Sequence, residues 1–153
     1  MRICFVCLGN ICRSPAAAAV FAGLAADAGL DVTVESAGTS DYHIGRPAHE
    51  HTLSEARRRG ITIEHSARQF TAADFDRFDL VVAMDQANLR DVRRLAPDEA
   101  ARQKVVLFGA FAGDQGFEVP DPWGRAEPAY IEMFDLLERA GHGLVAHVAA
   151  SAR

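Results

Sequence analysis

Ile3-Cys4-Phe5-Val6-Cys7-Leu8-Gly9-Asn10-Ile11-Cys12-Arg13-Ser14-Pro15, followed by Ala16-Ala17-Ala18-Ala19-Val20, joins two apolar runs through residues of a different kind. Ile3 to Val6 is short and continuously apolar, the pattern of a strand buried on both faces. Ser14-Pro15 opens an alanine-rich helix to about Ala28, with Pro at the first helical position and Gly29 as the stop. Between them, Gly9 and Asn10 tolerate left-handed backbone angles, so the turn can curl with its N–H groups inward. Such a nest at a helix N-terminus is a site for a tetrahedral anion.

Outward from this turn, strands and helices alternate. Val32 to Ser36 reads as a strand, 37–47 as a loop, and about Ala48 to Arg59 as a helix burying Leu53 and Ala56. Thr71 caps a short helix through Phe75, and Asp79 to Met84 is the clearest buried strand. A helix from about Gln86 to Leu95, a strand at Val105 to Phe108 and a loop to about Arg125 follow. The last helix carries Ile131, Phe134, Leu137 and Leu144 at helical spacing. Alternation of this kind predicts an α/β fold: three αβα layers with a central, mostly parallel four-stranded sheet. Ligands then bind beyond the carboxyl ends of the strands, which points to Cys7–Ser14, Ser36, Asp85 and the loop after Phe108. With no repeat and no linker, residues 1–153 read as one domain.

Composition excludes several function classes. A net charge of −5 and a pI near 5.6 are the wrong sign for a nucleic-acid binder. Arg57-Arg58-Arg59 ends a helix before Gly60, where it complements the helix dipole. No stretch approaches the roughly 20 apolar residues that span a bilayer. Three cysteines within the first dozen residues form no disulfide framework, so a reducing, cytoplasmic setting is expected. His43, His49, His51, His142 and His147 show no convergent ligand pattern and read as surface residues. Neither metal nor cofactor is called for.

At the bottom of a positive bowl, Cys7 can act as a thiolate, the nucleophilic form. Arg13 offers a planar fork to two phosphate oxygens, and the amides of Leu8, Gly9, Asn10, Ile11 and Cys12 can hold a third. Ser14 is both the N-cap candidate of the following helix and a hydroxyl aimed back toward the sulfur. Asp121, in Pro120-Asp121-Pro122, is the best-placed proton donor for a leaving group, although such a segment is also an ordinary turn. Trp123 and Tyr42 serve either as walls of a slot or as packing.

Val6-Cys7-Leu8-Gly9-Asn10-Ile11-Cys12-Arg13-Ser14-Pro15 resembles the active-site loop of the low-molecular-weight protein tyrosine phosphatases. The likeness continues through Ser36-Ala37-Gly38-Thr39-Ser40, Ile44-Gly45, His65-Ser66-Ala67-Arg68-Gln69, Ala83-Met84-Asp85 with Asn88-Leu89, and Asp121-Pro122. It implies that Cys7 forms a phosphocysteine, that Arg13 binds phosphate, and that Asp121 is general acid and then base. It further implies that Asn10, Ser36 and His65 hold the loop in shape and that Asp85 partners Arg13. Cys12 is implied as the thiol that traps an oxidised Cys7, against its other reading as a packed loop thiol. Phosphotyrosine proteins are the implied substrates, a cognate tyrosine kinase the implied partner, and a monomer or weak dimer the implied state. Family members often carry a second aromatic after the position of Trp123, where this chain has Gly124.

The resemblance leaves rivals. An arsenate reductase needs downstream cysteines, and this chain has none after Cys12. Relatives that prefer phosphoarginine tend to carry threonine where this loop has Ile11. A small aryl or acyl phosphate, or phosphotyrosine binding without turnover, completes the set.

Overall fold

A computed structural model describes residues 1–113 and 116–152. Four strands form one sheet: β1 (Arg2–Cys7), β2 (Thr33–Gly38), β3 (Leu80–Ala83) and β4 (Val105–Leu107), in the order β2-β1-β3-β4. Every pairing is parallel, so the sheet is wholly rather than mostly parallel. Strand polarity therefore brings Cys7, Gly38 and Ala83 to one edge. The chain leaves β1 toward β2 and later returns to β3 on the other side, so the end of β1 is where the strand order reverses.

Alternation along the strands divides the core. Ile3, Phe5, Val82 and Met84 belong to the layer under α1 (Arg13–Asp27) and the long C-terminal helix. Cys4, Val6, Val81 and Ala83 meet Phe70, Phe75, Phe78, Leu89 and Val92 on the opposite face. Helices α2 (Glu50–Arg58), α3 (Gln86–Arg94), α4 (Glu99–Gln103) and α5 (Glu127–Ser151) complete the αβα layers. Phe5 is the hub of the first layer, its ring centroid 5.6 Å from Phe21 and 5.1 Å from Phe108.

Several expectations need correction. Helix α1 starts at Arg13, with Cys12 at the cap, so Pro15 is its third residue rather than its first. The Ser14 hydroxyl is engaged by the preceding loop and is not a cap. Thr71 does cap a short helix, but that helix is a 3-10 turn over Ala72–Asp76, with Asp74 accepting the Thr71 amide at 2.8 Å. Helix α4 lies where no helix was read, capped by Asp98 accepting from the Ala101 amide at 2.8 Å. A 3-10 turn over Phe108–Ala112 occupies the start of the expected loop, whose residues 114–115 lie outside the described ones. On α2 the buried residues are Thr52, Glu55 and Ala56, with Leu53 only half-buried.

The arginine run does more than cap a dipole. The Arg59 guanidinium bonds Glu55 at 2.7 Å on its own helix, then Asp135 at 2.9 Å and Glu138 at 3.0 Å on α5. Burial opposes its charge, but these three carboxylates outweigh it and raise its pKa. Buried Glu55 is tolerated because two arginines pair with it.

Phe5→Ala removes the ring that joins α1 to the turn after β4. Its unfolding free energy in urea should fall by about 3–5 kcal/mol. A loss below about 1 kcal/mol would show that the layers close without it.

Candidate active site

The segment after β1 is shaped by where its carbonyls go. Cys7 O accepts the Thr39 amide at 2.8 Å, Leu8 O the Ser40 amide at 3.0 Å, and Ile11 O the His49 amide at 2.8 Å. Asn10 O contacts His65 Nε2 at 2.6 Å. With the carbonyls bound from outside, the peptide planes turn their N–H groups toward the centre of the curl. There the Asn10 amide donates to Cys7 Sγ at 3.3 Å.

Asn10 carries the bend, with φ of +57°, the sole non-glycine at positive φ among the described residues. Left-handed backbone costs an ordinary residue about 1–2 kcal/mol, and less for Asn. Its side chain repays this locally: Nδ2 donates to Ser14 Oγ at 2.8 Å and to Ser36 Oγ at 3.0 Å, and Oδ1 accepts the Arg68 amide at 3.0 Å. At about 1 kcal/mol per bond, these contacts exceed the strain. Gly38 allows the close approach. A Cβ there would lie 2.8 Å from Leu8 O and 3.1 Å from Asn10 Cβ.

Cys7 Sγ lies 3.0 Å from Ser14 Oγ. Asn10 already donates to that oxygen, which leaves the hydroxyl proton to point at sulfur or at Ala37 O, 3.4 Å away. Arg13 is 2% exposed, yet its charge is well matched. Nη1 bonds Asp85 Oδ2 at 2.6 Å and Val119 O at 3.0 Å, and Nη2 stands 3.8 Å from Asp121 Oδ2. Burial works against the guanidinium, but the negative charge of Cys7 and the Asp85 carboxylate prevail, so its pKa rises. Asp85 is fixed in turn as the cap of α3, accepting the Asn88 amide at 2.7 Å. Burial pulls His65 below the usual imidazole value against the opposing bond to Asn10 O. A carbonyl can only accept, so Nε2 carries the proton.

Above the loop opens a cavity of about 310 Å³. Cys7, Gly9, Ile11, Cys12 and Arg13 form its floor, with Leu8, Tyr42, His43, Trp123 and Asp121 around the mouth. Tyr42 and Trp123 are 71% and 59% exposed, so both are walls rather than core. Gly124, at φ of +80°, follows Trp123 and does not line the cavity. The Trp123 amide donates to Asp121 Oδ1 at 3.1 Å. All the sequence-derived site residues thus line this cavity or touch the loop beneath it.

His142 and His147 are exposed, as expected, but the other three histidines are not plain surface residues. His43 is half-buried in the cavity wall beside Gly9. His49 and His51 are half-buried against Tyr130, with ring centroids 5.2 and 5.1 Å away, and His49 Nδ1 accepts the His51 amide. Tyr130 is fully buried, its hydroxyl 3.8 Å from Cys12 Sγ, and nothing in the sequence pattern singled it out. Burial pushes the Cys12 thiol up to about 12, so it stays protonated near neutrality. His43 carried a readable signal, its place beside Tyr42 in a loop at a strand end. A search for metal ligands passes over it. No group of three or more metal-ligating side chains occurs among the described residues, nor is any of their helices long and apolar enough to cross a membrane.

Residues 2–153 match the family model for low molecular weight phosphotyrosine protein phosphatase. A low molecular weight protein-tyrosine-phosphatase from Streptomyces coelicolor is 44% identical, over 96% of this chain and 93% of its own length. A protein tyrosine phosphatase from Entamoeba histolytica superposes with a TM-score of 0.94 at 33% identity, covering 100% and 99% of the two chains. The arginine phosphatase YwlE superposes with a TM-score of 0.89 at 29% identity, over 97% and 96%; that structure holds a phosphorylated active-site serine. With Cys7 and Arg13 set in a phosphate-loop arrangement over this shared fold, the chain belongs to the low-molecular-weight phosphotyrosine protein phosphatases and is a cysteine-based phosphatase.

Proposed function

We propose that this phosphatase hydrolyses phosphotyrosine in proteins through a covalent phosphocysteine at Cys7. One arrangement carries the reading: Cys7 Sγ at the focus of the curled loop, the buried Arg13 fork beside it, and Asp121 at the mouth 3.8 Å from that fork. The Cys7 thiolate attacks phosphorus in line, the S–P bond forms and the P–O bond to the phenol breaks. Asp121 gives its proton to the departing oxygen, because a phenolate whose conjugate acid has a pKa near 10 leaves poorly unaided. Water then attacks the phosphocysteine while Asp121 takes its proton, and sulfur departs toward the Ser14 hydroxyl. Arg13 and the loop amides hold the equatorial oxygens throughout.

Leu8, Tyr42 and Trp123 give the slot apolar walls for an aromatic ring above the loop. A phosphoserine side chain is too short to fill such a slot and reach its floor. Ile11, on that floor, offers no hydroxyl to a guanidinium, which favours phosphotyrosine over the phosphoarginine suggested by the likeness to YwlE. Ser36, His65 and Asp85 act indirectly, by holding Asn10 and Arg13. The reading also implies one domain over 1–153, a cytoplasmic setting opposite a tyrosine kinase, and a monomer or weak dimer.

Cys7→Ser should abolish turnover and retain phosphate binding, measured by phosphate release and by titration. Asp121→Ala should lower kcat on a phosphotyrosine peptide by about 10²–10⁴. Either variant at full activity would remove the role assigned to that residue. Phosphotyrosine, phosphoserine and phosphoarginine peptides, compared in EDTA, test the substrate. Turnover of phosphotyrosine alone is expected. Preference for phosphoarginine would keep the chemistry and replace the substrate.

A further inference from the structure

Two histidines brace the carbonyls of the loop after β1. His65 Nε2 meets Asn10 O at 2.6 Å, and the His49 amide donates to Ile11 O at 2.8 Å. A carbonyl and the amide that follows it share one rigid plane and point in opposite directions. While His49 holds Ile11 O outside the curl, the Cys12 N–H therefore faces its centre.

His49 is itself placed by its side chain. It stands just before α2, with φ of −56° and ψ of 145°, and its Nδ1 accepts the His51 amide at 3.1 Å. Its carbonyl accepts the Leu53 amide at 3.0 Å, the first bond of the helix. The imidazole lies on the buried Tyr130 ring, 17° from parallel with centroids 5.2 Å apart. Such a cap differs from one made by Asn or Ser, because it accepts through a lone pair that a proton removes.

Four groups face this ring. His51, with its ring centroid 5.3 Å away, and Glu50 belong to the same helix. Tyr130 comes from α5, and Cys12 Sγ lies 3.8 Å from the Tyr130 hydroxyl. Burial foremost, and the Asp121 carboxylate in lesser part, push Cys12 up to about 12 and raise Tyr130 as well. Neither changes charge near neutrality. Burial and then His51 pull His49 below the usual imidazole value, and Glu50 opposes them. The tyrosine face tolerates an imidazolium, yet Nδ1–H would then meet the His51 N–H, donor against donor.

We propose that His49 is a positioning residue for the phosphate loop: as a neutral imidazole it caps α2 and holds the Ile11 carbonyl outward, and as an imidazolium it leaves that place and lets the Cys12 amide turn away from the bound anion. The folded chain favours the neutral ring. The cap is therefore complete above a pH of about 6.5 and is lost as pH falls through the lower folded value. A positive charge here would by itself attract an anion, although salt screens it over about 10 Å. Release of the amide acts at contact and in the opposite direction, so the sign of the change identifies the cause. The effect on anion binding rests on the loop being the phosphate cradle; the effect on the Cys12 amide does not.

Two titrations of the full chain, between about pH 7.5 and about pH 5, test this. In NMR without any anion, the Cys12 and His51 amides should move together with the protonation of the His49 ring. Inorganic sulfate, a dianion throughout this range, then probes the loop. Against His49→Asn, which keeps a cap oxygen and does not titrate, the wild type should bind sulfate equally at the upper end and about threefold more weakly at the lower. His49→Ala should bind about threefold more weakly than His49→Asn at both ends. A Cys12 amide indifferent to the His49 titration would overturn the positioning role, and this holds on the wild type alone if the variants do not fold. Wild type binding sulfate as tightly as His49→Asn at the lower end, or more tightly, would overturn the effect on the anion. If sulfate bound none of the three, that effect would fall together with the phosphate-cradle reading, while the Cys12 amide would still decide the role of His49.

Discussion

Everything at the active end of this molecule depends on one residue held with its backbone in the left-handed region. Asn10 is where the chain after β1 reverses, and φ of +57° there lets successive amides face a common centre. Glycine could adopt the angle, but it would provide none of the side-chain bonds to Ser14, Ser36 and Arg68 that make the turn the favoured state. The local cost is about 1 kcal/mol and the local return is three bonds of similar size, with a fourth from His65. The loop is therefore preorganised before any phosphate arrives, which is the condition for amide dipoles to act on a transition state without reorganising.

A second chain of contacts carries charge. Asp85 is fixed by the first turn of α3 and fixes Arg13; Arg13 lies between Asp85 and the more distant Asp121. The two carboxylates differ in consequence. At 2.6 Å and with its side chain 19% exposed, Asp85 is a permanent partner that orients the guanidinium. At 3.8 Å and 44% exposed, Asp121 is a loose one that faces the cavity. That difference suits one to positioning and the other to proton transfer, since a group that must give up and regain a proton is poorly served by a tight ion pair.

The loop was legible because its signals are local. Gly9-Asn10 after an apolar run, with Arg13 and Ser14-Pro15 behind, states a turn, an anion grip and a helix start within a few residues. The start itself was displaced by two residues because Ser14 looks like a cap, and only the structure shows its oxygen committed to Cys7 and Asn10. What depends on distant contacts was not legible. Arg59 ends a helix in sequence but ties α2 to α5 across 76 and 79 residues. Tyr130 is an unremarked position of the last helix until packing sets its ring on His49 and its hydroxyl near Cys12. Helix α4 has five residues, too few for periodicity to register, although Asp98 after Pro97 is a cap signal.

The mouth is where the chain leaves room. Trp123, 59% exposed, and Tyr42, 71% exposed, both line it, and Gly124 after Trp123 supplies no second ring. Rings held by so few contacts contribute little to stability, so their exposure makes sense only if something else covers them during the reaction. The aromatic phosphate ester proposed as substrate would do so: a ring filling the slot would also bury Leu8, Tyr42 and Trp123 and expel water from around Arg13. Desolvation strengthens the Arg13–phosphate contact at the step where charge spreads over the phosphoryl oxygens. Apolar walls and an ionic floor thus act together, and an ester lacking the ring would reach the same cysteine in a wetter and weaker field.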